Sequence, residues 1–215
     1  MGSHVPKQFL KIAGKPIIVH TIERFIKFDN SMDIVVVLPA DYLEIWKDIT
    51  AEFLNKVNIQ VASGGDSRFH SVKSGLSMIN EDMIIGVHDA VRPLVSMEVI
   101  NRCYSGAEKY GNAVPVIKIT DSIRRIDGAS NYPSHREDFR IIQTPQVFSG
   151  ELLKKAYNLN FSEEHTDDAS VVEKLGVNIN LVDGNRENIK ITTPQDIKYV
   201  EFYFETQRDS GVIYL

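Results

Sequence analysis

"MIIGVHDAVRP", residues 83–93, is the stretch on which the fold turns. Met83, Ile84, Ile85 and Val87 form a short apolar run that is β-branched for most of its length, which suits a buried strand and is too brief for a helix. An apolar run without alternation belongs to a strand covered on both faces, the mark of a parallel sheet between helices. Ligands of such sheets sit beyond the carboxyl ends of the strands, which is where Asp89 falls. A carboxylate there is suited to hold Mg²⁺ against a triphosphate, because hard cations take carboxylate and phosphate oxygens together. Arg92, just ahead of Pro93, is placed either to pair with Asp89 or to face the phosphates. His88 reads as a packed strand residue rather than a base.

Outward from this stretch the same pattern repeats. "DIVVVLP" from Asp33, "NIQVA" from Asn58 and "NAVPV" from Asn112 read as strands. Between them "KPIIVHTIERFIKF", "YLEIWKDITAEF", "SVKSGLSMI" and "MEVINRCYSGAEKY" have helical spacing. Right-handed crossovers of this kind predict an α/β chain, a three-layer Rossmann-like sandwich with a mostly parallel sheet, in one domain over residues 1–215. The rhythm breaks at residues 117–143. Two extended stretches, Ile117 to Ile126 and Phe139 to Gln143, flank a connection rich in Gly, Ser, Asn and Pro. This predicts a protruding β-arm that lies against a partner chain, since an isolated two-stranded ribbon is marginal in water; the alternative is a flexible surface hairpin. Beyond it the spacing predicts a helix from about Glu151, a helix from Asp167 to Leu175, strands "VNINLV" and "NIKITT", and a last helix from Pro194.

Composition narrows the function classes. With 24 Lys and Arg against 29 Asp and Glu, the net charge is −5, which argues against a general nucleic-acid binder. No apolar run approaches the roughly 20 residues of a membrane span. One cysteine, Cys103, cannot form an internal disulfide and reads as a packed helix residue, so a reducing cytoplasm is the expected setting. The six histidines have no zinc-ligand spacing, and no Gly-x-Ser-x-Gly elbow or Walker loop is present.

Four stretches fall where ligands are expected. Besides Asp89, "SGGDSRFHSV" offers Gly64 and Gly65 for close backbone approach and Asp66 as an acceptor for a base or sugar, or a plain loop with Asp66 or Ser67 capping a helix. In "NRENIKITTPQD" Lys190 sits between Ile189 and Ile191, where a charge needs an anionic partner unless the lysine faces solvent. Lys7 in "PKQF" is, on its own, an exposed lysine near the chain start. "HTDDAS" could suggest a metal site at His165, Asp167 and Asp168, but Thr166 as a helix N-cap with acids in the first turn explains it more simply.

Seven segments in order, "VPKQFL", "GKPIIVHTIERF", "SGGDSRFHSV", "VHDAVRP", "QTPQVF", "TDDASVVE" and "GNRENIKITTP", resemble the 2-C-methyl-D-erythritol 4-phosphate cytidylyltransferase family over nearly the whole chain. The resemblance implies a nucleotidyltransferase that uses CTP, a sugar-alcohol phosphate and Mg²⁺, with Asp89 near the metal and the substrate. It implies that Lys7 and Lys190 stabilise the pentacoordinate phosphorus, and that Gly65, Asp66, Ser71 and Ala90 contact cytosine and ribose. Thr144 and Thr166 match polar residues of the substrate site, and Ser122 stands where relatives often carry threonine. Arg136 matches an arm arginine that grips the substrate phosphate from the neighbouring subunit, which makes 117–143 a dimerisation arm. In relatives "PKQ" follows a strand and a glycine-rich loop, of which the opening Met-Gly looks like the last two letters. A chain lacking that strand is expected to have an exposed edge or a gap in its sheet, and a catalytically impaired nucleotide-binding dimer is one alternative. A ribitol 5-phosphate cytidylyltransferase is another, because "PKQF", "HDAVRP" and "NIKITTP" do not separate the two.

Overall fold

A computed structural model describes residues 6–209 of the chain; Met1–Val5, and with them the Met-Gly opening, lie outside the described residues. In chain order the elements are β1 (Lys11–Ile12), β2 (Lys15–Pro16), α1 (Ile17–Phe28), β3 (Ile34–Leu38), α2 (Leu43–Phe53), β4 (Ile59–Ser63), α3 (Arg68–Leu76) and β5 (Ile84–Val87). They continue as α4 (Met97–Tyr110), β6 (Asn112–Lys118), β7 (Ile123–Asp127), β8 (Ser130–Ser134), β9 (Arg140–Ile142), β10 (Gln146–Ser149), α5 (Gly150–Tyr157), α6 (Asp168–Glu173), β11 (Leu181–Asp183) and α7 (Pro194–Asp209). Local signals set the boundaries. The Ser96 hydroxyl accepts the Val99 amide at the start of α4, and Gly111, at φ 81°, closes it in the left-handed conformation that glycine adopts without strain.

Helices cover both faces of the main sheet. Neighbouring β10 residues point to opposite sides, and Val147 and Phe148 are both fully buried but in different clusters. Val147 packs with Val99, Ile100 and Cys103 of α4 and with Phe25 of α1. Phe148 packs with Phe69 of α3, Leu153 and Tyr157 of α5, and Val172 of α6. Burial pushes the Cys103 thiol up to about 12, so it is a packed, unreactive residue.

The sheet is mixed, not mostly parallel. β11 pairs parallel to β6, but β10 lies antiparallel between β5 and β6, and β9 is antiparallel to β6. The reason is the connection: the chain returns from the 119–139 excursion without a crossover helix, so the returning strands run opposite to β6. β7 and β8 pair only with each other, with Ile123 opposite Ser134 and Asp127 opposite Ser130. "SNYPS" is therefore a strand, although its composition reads as a turn, and 139–143 joins the main sheet rather than the ribbon. "NIKITT" forms no strand, and "VNINLV" contributes only Leu181 and Val182, the first two residues of β11.

The parallel pair β3–β4 is separate from the sheet that contains β5. Between the two lies a cavity of about 860 Å³, lined by β3, by β5, by Ile22 and Phe25 of α1, and by Gly75 and Leu76 of α3. Among the described residues this slot leaves the facing edges of β3 and β5 without a strand partner.

Candidate active site

Asp89 stands just past the end of β5. Its backbone N–H donates to the Thr144 hydroxyl at 3.1 Å, and its Oδ2 accepts from Arg92 Nε at 3.0 Å. Lys190 Nζ lies 3.3 Å from the same oxygen. Burial pushes the carboxyl up, but Lys190, then Arg92, then Arg68 outweigh it and hold Asp89 below the usual carboxylate value. It is therefore ionised at neutral pH. The proposed pairing of Arg92 with Asp89 is present, and Arg92 Nη1 also donates to the Asn188 carbonyl at 2.9 Å.

Lys190 reaches Asp89 because of the residues on either side of it. Ile191 is fully buried beside Ile12, Val91 and Val200, with Ile189 against the same cluster, and the Ile191 amide donates to the Val91 carbonyl at 3.0 Å. With both isoleucines turned into the core of an extended segment, the lysine between them turns the other way. One backbone bond does here what a strand ladder was expected to do. Lys7, in a helical turn over Lys7–Phe9, donates to the Ile191 carbonyl at 3.5 Å, so both lysines arrive at one extended rail.

Thr144 is fixed from the other side. Gln143 and Asn188 are buried: Gln143 Nε2 donates to the Asn185 and Asn188 carbonyls, and Asn188 Nδ2 to the Thr144 carbonyl at 2.8 Å. The Thr144 hydroxyl is 3.0 Å from His88 Nδ1, and His88 Nε2 is 3.1 Å from the Arg92 carbonyl. Burial drives the His88 pKa down to about 4. A neutral ring with its proton on Nε2 donates to that carbonyl and accepts from Thr144, which in turn accepts from Asp89. His88 thus reads as structural, with its Nε2 proton committed to the Arg92 carbonyl.

Thr166 and Thr144 line a second cavity of about 280 Å³ together with Asp89, Lys190, Arg92 and Arg68. The helix that follows Thr166 is capped differently from the sequence expectation. Asp167, not Thr166, is the N-cap, forming a reciprocal box with Ser170 at 2.9 and 3.1 Å. This leaves the Thr166 side chain to the cavity. His165 stacks on Phe69, and among the described residues no three His, Cys, Asp or Glu side chains gather as a metal site.

On the 64–71 turn, Ser67 caps α3 by accepting the His70 amide. The Gly65 amide donates to Ser71 Oγ at 3.1 Å, and a Cβ on Gly65 would come within 2.5 Å of the His70 Cβ, so only glycine fits. Ser71, Ala90, Asp89 and Gln8 share the lining of the larger cavity, whereas Asp66 is exposed. The single chain does not bring Ser122 or Arg136 to this place. Both are exposed, and Arg136 donates to the Thr120 carbonyl and pairs with Glu137.

Sequence reasoning missed the parts that hold these residues: Arg68, Gln146, Tyr157 and Asp168. Arg68 gave one signal, since a cation in the first turn of a helix opposes the helix dipole and calls for another partner. That partner is Asp168, which accepts both guanidinium ends. Burial works against the charge of Arg68, but the bonds to Asp168 more than offset it and raise its pKa.

Two lysines, two arginines and one carboxylate at the strand ends of an α/β sheet define an enzyme that handles phosphate-bearing substrates. The chain matches the profile of the 2-C-methyl-D-erythritol 4-phosphate cytidylyltransferase family over residues 1–206, and it belongs to that family. A relative of that name from Bacteroides thetaiotaomicron is 48% identical over 198 residues, covering 92% of this chain and 90% of the relative. Another from Porphyromonas gingivalis is 41% identical, with 92% and 88% covered. The crystal structure of a 2-C-methyl-D-erythritol 4-phosphate cytidylyltransferase from Thermus thermophilus superposes with a TM-score of 0.77 at 30% identity, covering 93% of this chain and 94% of that one. No helix among the described residues is long and apolar enough to cross a membrane.

Proposed function

We propose that the chain transfers a cytidylyl group from CTP to 2-C-methyl-D-erythritol 4-phosphate, releasing pyrophosphate, in isoprenoid precursor synthesis. A phosphate oxygen of the acceptor forms a bond to the α-phosphorus of CTP as the bond from that phosphorus to the pyrophosphate oxygen breaks. The observation that carries this reading is the meeting of Lys190 and Lys7 at one rail beside Asp89. The attacking oxygen is already anionic, so no base is needed, and this agrees with an ionised Asp89 pinned between cations and a neutral His88. What the reaction requires is positive charge where charge accumulates at phosphorus. Lys7 and Lys190 are assigned that role, Thr144 and Thr166 orient the acceptor, and Gly65, Asp66, Ser71 and Ala90 hold cytosine and ribose.

The donor set suits Mg²⁺ held by one carboxylate and completed by phosphates and water. The Arg92 and Lys190 contacts with that carboxylate are made at Asp89 Oδ2. When bound, the ion neutralises triphosphate charge. The 117–143 segment is assigned to a C2 dimer, in which Arg136 and Ser122 of each chain complete the site of the other. Support comes from an exposed hairpin that carries Ile126, at 70% exposure, and Tyr132, at 54%, without a core of its own. The lone buried cysteine fits a reducing cytoplasm.

Pyrophosphate release from CTP and Mg²⁺ tests the proposal, with methylerythritol phosphate and ribitol 5-phosphate in parallel, on this chain and on one extended ahead of Met1 by a strand and glycine loop. Turnover with methylerythritol phosphate is expected. Preference for ribitol 5-phosphate, or no release from either chain, overturns it.

A further inference from the structure

We infer that Arg68 and Asp168 are a positioning pair that couples the two halves of the site, so that ordering the 64–71 turn sets where Thr166 stands. The inference rests on the proposed reaction for the identity of the two ligands, a nucleoside triphosphate and a sugar-alcohol phosphate.

Asp168 is fully buried. A carboxylate in that position is tolerable only if its oxygens are satisfied, and three donors converge on it: Arg68 Nη1 at 2.9 Å, Arg68 Nη2 at 2.5 Å and the Tyr157 hydroxyl at 2.6 Å. Three helices therefore meet at one carboxylate, α3 through Arg68, α5 through Tyr157 and α6 through Asp168 itself. The two charged partners are each the first residue of their helix. One directly follows the 64–67 turn, and the other stands two residues after Thr166.

The link is stiff at both ends. A guanidinium that grips both carboxylate oxygens fixes angle as well as distance. Gln146, on β10 and buried, holds the same turn of α6 from the sheet side: its Nε2 donates to Asp167 Oδ2 at 2.8 Å and its Oε1 accepts the Ala169 amide at 2.8 Å. At the other end the Gly65–Ser71 bond closes the turn ahead of α3. Arg68 also lines both cavities. A ligand that orders the 64–71 turn therefore acts on Arg68, and through its fork on Thr166. The reverse holds by linkage: the acceptor aids the nucleotide by the same factor.

The variants Arg68→Lys, Tyr157→Phe and the double change Arg68→Gln with Asp168→Asn test this. The double change leaves no buried unpaired charge and keeps the fold measurable. It is expected to raise the KM of both substrates about tenfold, a typical size for coupled sites. Arg68→Lys keeps the charge without the fork and recovers only part. Tyr157→Phe lowers the melting temperature and moves either KM less than about twofold. If all three lower the melting temperature and none moves KM, the pair is only a fastener and the inference falls. If the unaltered chain turns over neither acceptor, the reaction falls instead, and hydrogen exchange at 166–172 with CTP as the probe still decides the coupling. Slowing by CTP in the unaltered chain that is lost in the double variant upholds it, and equal exchange in both overturns it.

Discussion

The floor of the site and the β7–β8 hairpin carry similar residues under opposite conditions. Arg92 at the floor is mostly buried, donates to Asp89 and to the Asn188 carbonyl, and has one place to be. Arg136, at the base of the hairpin, keeps about half of its side chain in solvent and, among the described residues, bonds a neighbouring glutamate and a carbonyl of the same segment. Desolvation makes the first arrangement costly to lose, while solvent makes the second nearly free to rearrange. The chain thus fixes by itself the Asp89, Arg92 and Lys190 cluster to which the chemistry at phosphorus is assigned. The part assigned to gripping the acceptor is positioned only if another surface fixes it.

Four measurements break or sharpen that contrast. The largest effect is expected from pH. With its pKa near 4 in the fold and near 6.5 unfolded, His88 takes up a proton on unfolding at any pH between those values. Stability therefore rises from pH 4 to 6.5 and levels off above, by up to about 3 kcal/mol. Urea midpoints across that range check this, and a slope unchanged in His88→Gln contradicts it. Next, Lys190→Ala is expected to lower kcat about 100-fold, some 2.7 kcal/mol, with little change in melting temperature. Unaltered turnover would return Lys190 to a solvent-facing lysine.

Arg136→Ala is expected to raise KM for the acceptor about tenfold, near 1.4 kcal/mol, with kcat nearly kept. Mixing it with Lys190→Ala chains restores activity if the arginine acts across the dimer, because one site of each mixed pair then holds both residues. No recovery removes the cross-subunit assignment. The smallest effect is expected from Ile126→Thr at the exposed hairpin, within about 0.5 kcal/mol for stability at low protein concentration. A larger loss at low concentration would mean that the hairpin belongs to the fold of the single chain.

Legibility in the sequence followed the range of the interaction. Strands β3 to β6 were readable because each is a compact apolar run, and α4 because its cap serine and closing glycine lie beside it. β10 was not read as a strand at all, and its direction depends on how the chain returns from 119–139. "NIKITT" alternates as a strand does, yet what orients Lys190 is burial of its two isoleucine neighbours plus a single bond to Val91. Thr166 looked like a cap because it precedes two aspartates, but the reciprocal box formed on the next residue instead. Of the candidate site, the groups assigned to ligands came from strand ends and from the family resemblance. Arg68 and Asp168 were not, because the partners lie 100 residues apart and neither position predicts the other without the packing of α3 on α6.

The slot between β3 and β5 has a consequence for how the molecule behaves in bulk. Among the described residues Ile34–Leu38 and Ile84–Val87 each pair on one side only, and neither run carries a lysine, a proline or an inward charge that would discourage further pairing. Two such edges, facing each other across apolar walls, are templates for any extended strand that arrives. The repulsion between molecules that carry a net charge of −5 is weak at physiological salt. Association in concentrated solution is therefore expected to start at this seam, and turbidity on storage is the readout.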